Sequence, residues 1–121
     1  MKGVMMFKSE KARNYLLQHG LVYSFRTRQR KIAGEGWVNE GYGKPKLADV
    51  FIAEIAHFED RDEARYRQQL TLSHLCWFLE PYWRKSGFKN VMEWVEEIKT
   101  LNKGNLPLEG WLYLVKMLEV K

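Results

Sequence analysis

The stretch Leu21-Val22-Tyr23-Ser24-Phe25-Arg26-Thr27-Arg28-Gln29-Arg30-Lys31 decides how the chain is read. Alternation at a period of two places Leu21, Tyr23 and Phe25 on one face of a strand, with Ser24, Arg26, Arg28 and Arg30 on the other. The first face reads as core. The second reads as a row of guanidinium groups, whose planar forks suit phosphate oxygens. A glycine-rich segment with Trp37, Asn39, Tyr42, Lys44 and Lys46 follows. The candidate nucleic-acid contacts are therefore Ser24, Arg26, Arg28, Arg30, Lys31, Asn39, Tyr42, Lys44 and Lys46. The cations would meet phosphates, Ser24 and Asn39 would hydrogen-bond a base or sugar, and Tyr42 would stack.

Outward from this stretch, Val4 to Phe7 reads as a short strand. Ser9 is a suitable N-cap for a helix through Ala12, Tyr15 and Leu16, and Gly20 is its stop. The second strand runs from Leu21 to Arg28. Trp37-Val38 is a short strand between Gly34, Gly36, Gly41 and Gly43. Leu47 to Phe58 reads as a strand, and its run Val50-Phe51-Ile52-Ala53 predicts burial on both faces. The charged residues from Glu59 to Gln69 read as a solvated loop or helix start. Thr71 then precedes a helix marked by Leu72, Leu75, Cys76 and Leu79, which Pro81 ends or bends. Phe88, Val91, Met92, Val95 and Ile98 mark another helix, closed by Lys103-Gly104. Trp111 to Val120 is a final strand with Trp111, Tyr113, Val115 and Met117 on one face. The order β-α-β-β-β-α-α-β predicts an α+β fold, a small mixed β-barrel or open sheet with flanking helices, in a single domain over 1–121.

The composition agrees with a packed soluble domain: 45% of the residues are hydrophobic, five are Trp, and 29% are charged. The apolar runs are too short to cross a bilayer, and Met1 to Phe7 lacks the organisation of a signal peptide. Cys76 is the single cysteine, so no intrachain disulfide forms and a reducing cytoplasm is the expected setting. The net charge of +5 is unevenly placed. Residues 1–48 hold ten Lys/Arg against three Asp/Glu, whereas 49–121 hold ten against twelve. That polarity suits a polyanion, RNA above all.

Other chemistry is thinly represented. His19, His57 and His74 are far apart and no Cys-x-x-Cys occurs, so neither a metal nor another cofactor is expected. His57 with Glu59, and His74 with Cys76, are the nearest approaches to ligand pairs, and both read as structural. Cys76 reads as a small core residue. Ser24 would be polarised by Arg26, but no histidine is placed by sequence to act as its base. Glu96-Glu97 and the run from Glu59 to Glu63 read as solvated faces. Gly34-Glu35-Gly36 and Gly41-Tyr42-Gly43 lack phosphate-loop spacing and read as turns. Trp37 reads as core. The arginine row needs anions, either the carboxylates of 59–63 or a phosphate backbone.

Several of these segments resemble the ASCH domain family of the PUA-like superfamily. They are Val4-Met5-Met6-Phe7, the helix to His19-Gly20, Tyr23-Ser24-Phe25-Arg26, the Gly34-to-Asn39 turn and strand, Ala48-Asp49-Val50 and the final aromatic strand. The resemblance spans nearly the whole chain, with 59–105 as a helical insertion. It implies a PUA-like barrel and RNA binding. One branch of the family consists of small amidohydrolases that act on N4-acylated cytidine through a lysine, a threonine and a glutamate. The corresponding positions here are Leu21, Ser24 and Gln68, of which only the hydroxyl is retained. Leucine moves no proton and glutamine is no carboxylate base.

Three functions follow, each with its own structural signature. An RNA-binding module calls for a positive groove or surface. A small amidohydrolase-like enzyme for a modified nucleoside or base calls for a deep pocket holding Ser24, Arg26 and a carboxylate. A protein-interaction module would present its basic face to an acidic partner. Pairing of the arginines with 59–63 would instead give them a structural role.

Overall fold

The computed structural model describes residues 3–30, 33–60 and 67–118, with the backbone alone over 67–70. Its elements are β1 (Gly3–Met6), α1 (Glu10–His19), β2 (Leu21–Arg26), β3 (Gly34–Asn39), β4 (Ala48–Glu59), α2 (Arg67–Leu79), a 3-10 turn (Trp83–Lys85), α3 (Val91–Leu101) and β5 (Glu109–Met117). Local chemistry explains the ends. The Ser9 hydroxyl accepts the Ala12 amide at the start of α1, and Gly20 ends that helix at a φ of 83°. Only glycine takes that left-handed conformation without strain. Asn90 accepts the Glu93 amide at 2.8 Å, which caps the first turn of α3, and the Glu93 carboxylate accepts the Lys89 amide just ahead of the cap at 3.1 Å.

The strands form one sheet in the order β1-β3-β4-β5-β2, which curls into a half-barrel. Pairing is parallel between β1 and β3 and antiparallel elsewhere. The two edge strands are therefore β1 and β2. Gly36 lets β1 approach, because a Cβ there would lie 2.4 Å from the Gly3 carbonyl oxygen. Directly opposed residues share a face, so the register assigns Met5, Val22, Val38, Val50, Ile52, Tyr113 and Val115 to one side. Each is at most 1% exposed. Fully burying one such side chain stabilises the fold by roughly 1.5–3 kcal/mol. On the other side Phe25 and Phe58 meet Phe78 of α2, with ring centroids 6.3 and 5.3 Å away, and Tyr23 meets Tyr82 at 5.1 Å.

The α+β class, the single domain and the element order agree with the sequence reading. Several details differ. Leu21 and Tyr23 are half-buried, while Val22 and Ser24, at 0% and 7% exposure, are buried on the opposite face. Both faces of β2 are covered, so alternation of polarity there does not report solvent. The strand also ends at Arg26, not Arg28. In β4, Val50 and Ile52 are buried, but Phe51 and Ile55 are 48% and 40% exposed, so the expected two-sided burial does not occur. Ile55 sits at a register shift between Glu54 and Ala56, where the pairing skips a residue. Helix α2 begins at Arg67, ahead of the expected Thr71. Thr71 is buried, and its hydroxyl donates to the Asp60 carboxylate at 2.5 Å. Trp37 is half-buried and outside the core cluster. The last strand starts at Glu109, ahead of the expected Trp111, and runs to Met117; most of the charged segment (61–66) and the expected strand end at Val120 lie outside the described residues.

Candidate functional site

Arg26, the last residue of β2, reaches across to the other edge of the sheet. Its Nε donates to Ser24 Oγ at 2.8 Å and its Nη1 to the Met6 carbonyl of β1 at 2.7 Å. Its Cζ lies 4.7 Å from the centre of the Phe7 ring, a cation–π distance. Arg30, four residues on, makes the matching contact one step along β1: its Nη1 donates to the Val4 carbonyl at 2.9 Å. The Arg30 amide donates to the Tyr113 hydroxyl at 2.7 Å. Val4 and Met6 are two apart on an edge strand, which has one side without a strand partner. Two arginine side chains thus tie together the edges that the backbone ladder leaves apart.

A cavity of about 480 Å³ opens along this seam. Its walls are Val4 to Ser9 and Ala12 on one side, Tyr23 to Arg28 and Arg30 on the other, and Phe88, Trp94, Glu97, Ile98, Leu101 and Asn102 beyond. Four cations border it, Lys8, Arg26, Arg28 and Arg30, against the single carboxylate of Glu97. Among the described residues no carboxylate forms an ion pair with Arg26. Removal from water, and next the charge of Arg30, lower the Arg26 pKa below the ordinary arginine value to about 10, with Tyr113 opposing. Arg26 therefore stays charged at neutral pH. Burial also lowers Arg30 and raises the Tyr113 phenol, the latter opposed by the hydrogen bond from the Arg30 amide. An arginine carries five N–H groups, and the bonds to Ser24 and Met6 use two of the five on Arg26.

The expected exposed row of arginines is thus not what forms. Arg26 and Arg30 are folded back to the protein, and Arg28 alone of the three is exposed, though it also borders the cavity. The chain leaves the strand after Arg26, so Arg28 and Arg30 no longer follow its alternation. Arg26 pairs with the Ser24 hydroxyl and the Met6 carbonyl oxygen; of the expected carboxylate partners, residues 61–63 lie outside the described residues. Lys31 and the Gln68 side chain lie outside the described residues. The remaining candidates fall elsewhere. Asn39 is 4% exposed and donates to the Lys44 carbonyl at 3.1 Å, so it holds its own loop. Tyr42 is 96% exposed, Lys44 is exposed, and Lys46 pairs with Asp49 at 3.2 Å. None of these four lines the cavity.

Sequence reasoning missed Phe7, Trp94 and Glu97 as site residues. In the sequence Glu97 reads as part of a solvated face. The signal lay in α3, where Trp94, Ile98 and Leu101 fall at helical spacing with Glu97 between them. It also missed Glu109. That residue pairs with Glu59 across the sheet and brings the ligating atoms of His57, Glu59 and Glu109 within 4.8 Å of one another. The Glu109 carboxylate accepts from His57 Nε2 at 2.8 Å, and the His57 ring stacks on Trp111 at 4.9 Å.

Comparison with protein-family models, curated proteins and solved structures finds no match. Among the described residues no helix is long and apolar enough to cross a membrane. The chemistry of the cavity can then be stated on its own terms. It offers a desolvated cation with a planar fork, further positive charge at its border, one hydroxyl, and aromatic and aliphatic walls. No histidine lines it, so no imidazole stands beside Ser24 to take its proton.

Proposed function

We propose that this chain is a small RNA-binding domain of the PUA-like kind, similar to the ASCH family, and that it grips RNA in the seam cavity. The observation that carries the reading is Arg26, a half-buried cation fixed by the Ser24 hydroxyl, the Met6 carbonyl and the Phe7 ring, with no carboxylate paired to it among the described residues. Its hydrogen bonds satisfy part of the guanidinium but bring no negative charge, and an incoming anion supplies that charge. Phosphate matches the guanidinium fork. Bases and sugars would pack on the walls formed by Trp94, Ile98 and Leu101. The excess of Lys/Arg in residues 1–48 supports the same ligand through long-range attraction.

Fluorescence anisotropy with single-stranded RNA, repeated over a range of salt, tests this reading. If about four phosphates are neutralised, log affinity falls against log salt with a slope of roughly −3. Binding no tighter than about 100 µM at low salt overturns it.

A second reading has one specific observation in its favour: the cavity does hold Ser24, Arg26 and a carboxylate, Glu97. This is the arrangement a small hydrolase acting on a modified nucleoside would need. However, the Ser24 oxygen accepts a bond from a cation, which makes the hydroxyl a poorer nucleophile unless a base removes its proton. Incubation with N4-acetylcytidine separates the readings. Turnover near about 10 per second favours the hydrolase.

A further inference from the structure

Two features of the seam restrict what enters it. First, the edges are bridged at two successive points, Arg26 to the Met6 carbonyl and Arg30 to the Val4 carbonyl. A polynucleotide strand cannot thread through a wall that is closed at both rungs. With both ties made, an end enters without breaking them, whereas an internal segment passes only after both are released. Second, the cavity border carries four positive groups against one negative. An internal phosphodiester brings one negative charge, whereas a phosphomonoester brings about 1.5 to 2 at neutral pH and three acceptor oxygens.

We propose that the seam cavity is a receptor for a terminal phosphomonoester, with the phosphate on Arg26 and the adjoining nucleoside against the wall of α3. This rests on the RNA reading above and names the part of the RNA that is recognised. Arg26 supplies the fork, with the N–H groups not used on Ser24 and Met6. Phe7 backs the guanidinium and holds its plane. Arg28, exposed at the border, adds charge without a structural duty. Glu97 opposes the ligand and limits how tightly an anion is held.

The experiment compares short oligouridylates of one sequence with a 5′-phosphate, a 3′-phosphate, hydroxyls at both ends, or a closed circle. Uridine 5′- and 3′-monophosphate serve as competitors, and a thermal melt accompanies every variant. One phosphate-ended form is expected to bind about tenfold or more tighter than the hydroxyl-ended form, as charge-assisted hydrogen bonds imply. The circle is expected to bind no better than the hydroxyl-ended form. The preference shrinks toward about pH 5, where the phosphomonoester drops to a single charge. Arg26→Lys keeps the charge, loses the fork and removes the preference. Glu97→Gln, which leaves both edge bridges intact, widens the preference. Equal affinity for phosphate-ended, hydroxyl-ended and circular RNA overturns this proposal and leaves the RNA reading standing. Binding of a uridine monophosphate without binding of any RNA upholds the phosphomonoester and overturns the RNA reading. A preference that persists unchanged in Arg26→Lys and Glu97→Gln overturns the placement of the phosphate in the seam.

Discussion

The seam and the loop that follows β3 draw on the same basic two-fifths of the chain, yet they use their cations in opposite ways. In the seam, Arg26 is desolvated, held by two hydrogen bonds and backed by an aromatic ring. In the loop, Lys44 is exposed, Lys46 is paired with a half-exposed carboxylate, and Tyr42 stands 96% in solvent. A charge in water interacts weakly and is screened by salt, whereas a charge held in low dielectric interacts strongly with whatever anion reaches it. Positive charge in a sequence therefore identifies an attraction, and only its burial identifies a site.

The largest break in this comparison comes from Arg26→Ala. It removes the fork and leaves the Met6 carbonyl and Ser24 hydroxyl without their donor, so RNA affinity falls by about tenfold or more and stability by about 2 kcal/mol. Anisotropy and a denaturant titration measure the two. Ser24→Ala removes one acceptor from Arg26 and is expected to cost about 1 kcal/mol, read as a lower melting temperature. Arg28→Ala separates attraction from architecture. It flattens the RNA salt slope by about 0.7 and leaves the melt within about 0.5 kcal/mol of the parent, whereas Arg30→Ala lowers the melt as well, because it cuts the bond to Val4. The smallest effect belongs to the loop. Lys44→Ala with Tyr42→Ala changes RNA affinity by less than about twofold and leaves the melt unchanged. A tenfold loss from that pair, with no loss from Arg26→Ala, would reverse the comparison.

The seam also carries its own pH signature. The folded-state pKa of Arg26, about 10, lies below the ordinary value of an arginine. Between those values the unfolded chain holds more protons than the folded one, so this group's contribution to stability rises with pH in that window. Below about pH 10 it is constant. Guanidinium NMR is expected to show Arg26 titrating near pH 10, and a bound phosphate group moves that midpoint upward.

Much of the architecture was legible because it depends on local chemistry. Ser9, Gly20 and the apolar spacing of Val91, Val95 and Ile98 mark their helices unaided, and Trp111, Tyr113, Val115 and Met117 do share a face. The site was legible only in part. Ser24, Arg26, Arg28 and Arg30 were singled out and do converge on one cavity, but as ties across a seam and not as a solvent-facing row. The difference arises because the partners of Arg26 and Arg30 are carbonyl oxygens of an edge strand some twenty residues away, which side-chain patterns do not encode. The position of Asn39 was hard to read for a related reason. A polar residue at the end of a strand reads as a contact group, yet here it is buried to fix the course of its own loop.

The ties that close the seam are side-chain bonds, and this separates two kinds of opening. Backbone ladders hold β1 to β3 and β2 to β5 independently of whether the two edges touch. Rotation of two arginine side chains parts the edges at the cost of a few hydrogen bonds, each about 1 kcal/mol, with every strand still paired. The cavity can then admit a ligand on the timescale of side-chain motion, while amide hydrogen exchange in the strands continues to report the full stability of the sheet.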